Sequence, residues 1–222
     1  MKQNGFDVTE ITRNTYDLIA SGYSQKIKDL VSDTWVGKFE KSLLDKFLNI
    51  ITKTRGDTLK ILDIGCGYGK DTFYLSQRKG VTAIGLDYSE GMLSEANKAF
   101  PEIHFVRMDM RNLLFPENYF AGVWANGCIY HVPKYDIKLV FSEVRRVLKP
   151  YGIFSFNFKL GNIEQMEQNP KSYGGKPRFY SYYQIKEITE LIVQSGFKTI
   201  ETLPYPEDIF GEKISHLWVS KS

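Results

Sequence analysis

The spacing of apolar positions changes once along this chain, near residue 58. Before it, Val8, Ile11, Thr15, Leu18 and Ile19 recur at helical intervals, and a second stripe runs Val36, Phe39, Leu43, Phe47, Ile50 and Ile51. Two helices are expected there, with a break or bend at Gly22. From Leu59 onwards, short apolar runs alternate with helical stripes. Lys60–Ile64, Val81–Leu86, Ile103–Val106, Tyr119–Ala125 and Ile153–Phe158 read as strands. Asp71–Gln77 reads as a helix, as does a segment capped by Ser89 that stops before Pro101. The stripe Ile137, Val140, Phe141, Val144, Val147 and Leu148 is a third, ended by Pro150 and Gly152.

This alternation predicts an α/β fold: a Rossmann-like doubly wound sheet, mostly parallel, with helices on both faces. A helix over Ile185, Ile188, Leu191 and Ile192 follows, then strands around Phe197–Thr202 and Ile214–Val219. Leu203–Lys213 lacks the helix that a parallel crossover needs, so an antiparallel C-terminal edge hairpin is expected. The whole reads as one domain. It comprises an N-terminal helical cap over 1–56, a core over 57–158, a lid-like insertion over 159–182, and a C-terminal helix and hairpin over 183–222. The insertion is polar yet carries Tyr173, Phe179 and Tyr180, which are expected on the substrate side of a long loop.

In open sheets of this kind, ligands gather at the carboxyl ends of the strands. Asp63, Asp87, Asp109 and Asn126 all fall at or just past such ends. Each alone is an ordinary turn residue, but their recurrence after four successive strands places four polar groups on one rim. Behind Asp63 lies Gly65-Cys66-Gly67-Tyr68-Gly69, a loop through which backbone can approach a ligand closely. The unpaired N–H groups of a helix start add donors. A dinucleotide loop spaces its third glycine one position later and carries no acid ahead of it. Asp63 suits a ligand with a cationic amine instead.

Four blocks resemble the core of class I S-adenosylmethionine-dependent methyltransferases of the small-molecule type: ILDIGCGYGKDT (61–72), GLDYSEGML (85–93), VRMDMRNLLFPENYFAGVWANGCIYHVP (106–133) and VFSEVRRVLKPYGIFSF (140–156). NTYDLIASGY (14–23) is similar to the N-terminal cap of the same group. The resemblance implies that Asp63, Gly65, Cys66 and Gly67 hold the methionine part of S-adenosylmethionine. It places Asp87 on the ribose hydroxyls, Tyr88 and Met110 beside the adenine, and Asp109 on the adenine amino group. Asn126 would lie beside the sulfonium, with Tyr16 and Tyr23 closing over the site. His131, shortly after the fourth strand, is the candidate base, against a reading in which it only packs beside Pro133. His104 and His216 are expected to be structural.

The bulk numbers narrow the partners. At 222 residues and 42% hydrophobic, the chain can bury a full core. A net charge of +3 without a basic stripe favours a small-molecule acceptor over nucleic acid, although a wobble-base methyltransferase of tRNA stays open as an alternative. A cofactor-binding protein without turnover is a second alternative, and a nicotinamide-dependent oxidoreductase a distant third. Cys66 and Cys128 match no metal or redox spacing. Neither a signal peptide nor a membrane-length apolar run is legible, so a cytoplasmic protein is expected. The methyl acceptor and the oligomeric state are not legible.

Overall fold

The computed structural model describes residues 2–3, 6–31, 35–54, 58–168, 173–204 and 213–221. A two-residue pairing of Lys2–Gln3 with Phe6–Asp7 leads into helices α1 (Val8–Val31) and α2 (Trp35–Thr54). Then follow β1 (Leu59–Ile64), α3 (Lys70–Ser76), β2 (Val81–Asp87), α4 (Glu90–Ala99), β3 (His104–Arg107) and β4 (Phe120–Ala125). Next come α5 (Ile137–Val147), β5 (Leu148–Leu160), β6 (Glu164–Glu167), β7 (Arg178–Tyr183), α6 (Ile185–Gln194), β8 (Phe197–Pro204) and β9 (Ile214–Lys221).

The sheet runs in the order β8-β9-β5-β4-β1-β2-β3. β3, β2, β1, β4 and β5 are mutually parallel, whereas β9 is antiparallel to β5 and β8 to β9. Strand order reverses between β1 and β4, so the carboxyl ends of these two strands flank the crevice where such sheets place ligands. The central parallel strands are buried on both faces, as their near-continuous apolar runs require, and every residue of β4 is buried, whereas edge strand β3 has no fully buried residue. On one face, Val140, Phe141 and Val144 of α5 and Ile188 and Ile192 of α6 join Phe154 and Phe156. On the other, Leu43, Phe47, Leu48 and Ile51 of α2 join Ile61, Trp124 and Trp218. The helical segment read as one cap therefore divides, with α2 forming a layer of the core and α1 lying elsewhere.

Four local expectations fail. α1 passes through Gly22 without a break, since a glycine in a long helix costs only about 1 kcal/mol. Its stripe is also only partly buried: Val8 and Thr15 are buried but Leu18 is 73% exposed, while Thr12, outside the stripe, is buried. Those threonines stitch α1 to β7. Thr12 Oγ1 accepts from Phe179 N–H at 2.9 Å, and Thr15 Oγ1 donates to the Pro177 carbonyl at 2.6 Å. Pro150 and Gly152 do not separate helix from strand either. β5 starts at Leu148, directly after α5, and slips register against β4 through a bulge in which Tyr151 takes φ 61°. Nor is 159–182 a long loop in its described parts. Lys159 and Leu160 end β5, and β6 pairs antiparallel with β7, which itself adds beside β5 at Lys159↔Tyr182.

Candidate active site

A cavity open to solvent lies over the carboxyl ends of β1, β2 and β4. α1 covers it with Thr9, Thr12, Arg13, Tyr16 and Tyr23. The helix spacing of these residues puts them on one face. α1 is held in place through α4. Asp17 Oδ1 accepts from Ser89 Oγ at 2.7 Å and from Gly91 N–H at 3.0 Å, and the two backbones meet so closely that a Cβ on Gly91 would stand 2.7 Å from the Asp17 carbonyl.

Gly65 and Gly67 form the floor, with φ of 67° and 54°, where a side chain would strain the backbone. A Cβ on Gly65 would also collide with Cys128 Cβ at 2.4 Å. The loop is tied to the end of β2: Gly67 N–H donates to Asp87 Oδ2 and Ser89 N–H to Asp87 Oδ1, each at 2.8 Å. Burial raises the Asp87 carboxyl above its usual range, against the pull of those backbone donors. Tyr88 donates to Glu10 of α1. Asp109 is chelated by Arg111 at 2.7–3.1 Å, and Arg111 also reaches Asp136 at 2.8 Å. Leu86, Met92, Met108 and Met110 supply an apolar wall between these polar groups.

The opposite end is lined by Asn126, Gly127, Cys128, His131 and Val132 of the segment after β4, with β5 and β7 behind it. Asn157 of β5 braces that turn, accepting from Gly127 N–H and donating to Asn126 Oδ1, both at 2.7 Å. His131 Nδ1 lies 2.6 Å from the Phe179 carbonyl and Nε2 lies 2.9 Å from Tyr16 Oη. Burial, aided by the nearby charges of Arg178 and Lys159, brings the imidazole pKa down to about 3, so the ring is neutral at pH 7.

Of the residues picked out from the sequence, Tyr16, Tyr23, Gly65, Gly67, Asp87, Tyr88, Asp109, Met110, Asn126 and His131 line this one cavity. Asp63 stands behind the wall. It is 2% exposed, accepts from Thr72 Oγ1 at 2.6 Å, and has its carboxyl pushed well up by burial and by Asp71. Cys66 and Cys128 are free thiols raised well above the usual range by burial, so neither is a nucleophile. Cys128 lines the cavity and Cys66 does not. Phe179 and Tyr180 are buried in β7 and do not line it; Phe179 acts through its carbonyl. The side chain of Tyr173 lies outside the described residues. His104 is an exposed residue of β3, and His216 is wholly buried between Trp124 and Trp218. Thr9, Thr12, Arg13 and Arg111 line the cavity without having been picked out. The polar face of α1 was the signal that could have found the first three.

A sheet with this strand order, a glycine floor after its first strand and an acid at the end of its second defines the fold of class I S-adenosylmethionine-dependent methyltransferases. Residues 61–152 match the family model of a methyltransferase domain, and this stretch of the chain is such a domain. Magnesium protoporphyrin IX methyltransferase from Synechocystis PCC 6803, solved with bound SAM, superposes with a TM-score of 0.71. The match spans 98% of each chain at 17% identity, which establishes the fold. Among curated proteins, a sterol 24-C-methyltransferase of Gibberella zeae is 35% identical over 102 residues, 43% of this chain and 26% of its own length. Phosphoethanolamine N-methyltransferase 2 of Caenorhabditis elegans is 30% identical over 166 residues, 71% of this chain and 37% of its own. The chain thus spans less than half the length of these relatives. Among the described residues, no helix is long and apolar enough to cross a membrane.

Proposed function

We propose that the protein is an S-adenosylmethionine-dependent methyltransferase acting on a small-molecule acceptor. The observation that carries this reading is the single cavity in which the Gly65–Gly67 floor and the Asp87 and Asp109 carboxylates meet the Tyr16–His131 pair. The residues fit the donor. Gly65 and Gly67 leave the backbone uncovered by side chains, Asp87 suits a ribose diol, and Met110 with Leu86 suits an adenine face. Asp63 contributes by holding Thr72 and the start of α3 rather than by contact. The donor supplies an electrophilic methyl on a good leaving group, so the protein's work is alignment and exclusion of water.

α1 covers the cavity, and Tyr16 and Tyr23, packed edge to face at 5.7 Å, close its acceptor side. Neutral His131 accepts the Tyr16 O–H and so turns the Tyr16 oxygen towards an acceptor hydroxyl, which it can orient for attack; amine acceptors with a free lone pair need no proton removed. The printed substrates of the relatives, sterol, phosphoethanolamine and magnesium protoporphyrin, support a small molecule and differ too much to choose one. Two free thiols support a reducing, cytoplasmic setting. The test is release of S-adenosylhomocysteine over a panel of small acceptors and total tRNA, beside calorimetry with S-adenosylmethionine and NAD. Turnover of small acceptors is expected; binding of NAD in place of S-adenosylmethionine overturns the reading.

A further inference from the structure

We propose that Arg111 makes the donor site selective for the adenine 6-amino group. It acts as a positioning residue, clamping the Asp109 carboxylate so that one acceptor position is kept for that group. This rests on the methyl-transfer reading and deepens it.

Asp109 and Arg111 both line the cavity, just past the end of β3. Asp109 Oδ1 accepts from the Arg111 backbone N–H at 2.9 Å, the side-chain-to-backbone bond of an Asx turn. The guanidinium of the same residue then spans the carboxylate. Nε lies 3.1 Å from Oδ1 and 3.0 Å from Oδ2, and Nη2 lies 2.7 Å from Oδ2. An ionised carboxylate offers about four acceptor positions, and the backbone N–H, Nε and Nη2 of Arg111 take up about three of them. Roughly one is left for a donor from the cavity. An exocyclic amine supplies such a donor, and Leu86, Met108 and Met110 in the same lining give a base an apolar surface to lie on.

The clamp is itself anchored on rigid structure. Nη1 of the guanidinium donates to Asp136 Oδ2 at 2.8 Å, and Asp7 Oδ2 stands 3.9 Å from Nη2. Asp136 sits at the N-terminus of α5, whose Ile137, Val140 and Phe141 are fully buried. Its side chain makes no capping bond to its own helix and is turned to Arg111 instead. A planar fork gripped along two edges is held against rotation, and so is the carboxylate it grips. Three carboxylates share the guanidinium charge, so Asp109 is oriented and remains a strong acceptor. Without that side chain Asp109 would keep only its turn contact, and its carboxylate, 25% exposed, could swing into water. A base would still lie on the apolar wall, but its amino group would lose a fixed partner. The clamp therefore contributes preorganisation for one ligand group.

The experiment is calorimetry of the full chain with S-adenosylhomocysteine and with its 6-deamino analogue, in which a hydrogen replaces the 6-amino group. The native chain should bind the analogue about tenfold or more weakly, the worth of a hydrogen bond to a carboxylate. Arg111→Gln should weaken S-adenosylhomocysteine about tenfold and leave the analogue within about threefold, so that the preference all but disappears. Equal binding of the two ligands by the native chain overturns the proposal. So does an Arg111→Gln chain that loses affinity for both in parallel, as a merely structural role requires. If Arg111→Gln does not fold, Asp136→Ala decides in its place, because it removes the outer anchor of Arg111. It should lower the preference about threefold or more, and an unchanged preference overturns the proposal. Failure of the native chain to bind S-adenosylhomocysteine would instead overturn the methyl-transfer reading. Adenosine against its own 6-deamino form then decides the Arg111 assignment by the same ratio, and binding of neither overturns it too.

Discussion

Tyr16 Oη lies 2.9 Å from His131 Nε2, a bond between the helix that covers the cavity and the turn that follows β4. The second ring nitrogen fixes its polarity. A carbonyl can only accept, so the Phe179 oxygen, 2.6 Å from Nδ1, requires the proton there, and Nε2 takes the tyrosine O–H. Nitrogen NMR should therefore show the Nδ1–H tautomer, unprotonated down to pH 5, since burial holds the imidazole pKa at about 3. With a hydroxyl acceptor, Tyr16→Phe should lower kcat about tenfold, the worth of one hydrogen bond that orients the acceptor. S-Adenosylhomocysteine affinity should stay within about threefold. Parallel loss of both in calorimetry and turnover would reduce Tyr16 to a wall residue.

Asp87 uses both carboxylate oxygens to hold backbone N–H groups, one from the glycine floor and one from the start of α4. An amide in its place can accept through one oxygen only and turns its NH₂ towards the second donor. Asp87→Asn should thus disorder the floor and weaken S-adenosylhomocysteine binding by about 1.5–3 kcal/mol, roughly ten- to a hundredfold. Calorimetry checks this, and a change in affinity under threefold would remove Asp87 from the donor site.

Strand ends and the glycine loop were legible because their signals are local. An apolar run, an acid and three alternate glycines need no partner to be recognised, and Gly65, Gly67, Asp87 and Asp109 do meet in one cavity. What was not legible depends on contacts between distant segments. Thr12 looks like polar surface until Phe179 of β7 arrives to donate to it, 167 residues away along the chain. Phe179 and Tyr180 suggested a lid by composition, yet both are buried strand residues, paired with Met166 and Gln165 of β6. Asp63 carried the right chemistry at the right strand end, but it is buried, 2% exposed, outside the lining of the cavity. Pro150 and Gly152 announced a stop, while tertiary pairing with β4 turned that stop into a bulge.

Gly122 lies at the centre of β4 beneath α2, where a Cβ would stand 2.3 Å from Ile51 Cδ1 and 2.8 Å from Phe47 Cζ. Both side chains are buried at the heart of their cluster, so neither can yield without shifting α2. Gly122→Ala should destabilise the fold by about 1–3 kcal/mol, the usual cost of overpacking a filled core. Thermal and denaturant melts check it. Ile51→Val in the same chain should recover part of the loss, and no recovery would locate the strain elsewhere.

His216 is wholly buried, 2.7 Å from Ser155 Oγ and flanked by the rings of Trp124 and Trp218. Burial, with Lys46 adding to it, lowers its pKa to about 3. An unfolded histidine titrates near 6.5, so between about pH 6.5 and 3 the unfolded chain binds a proton that the folded chain refuses. The stability held by neutral His216 is complete above about pH 6.5 and is lost as pH falls through that window. From pH 7.5 to 5 this group alone should remove about 2 kcal/mol. His216→Phe forfeits the Ser155 contact and starts from a lower stability at pH 7.5, but its decline to pH 5 should be about 2 kcal/mol shallower. Urea unfolding of the two chains at both pH values measures the difference, and parallel declines would show that His216 accepts a proton in the folded state.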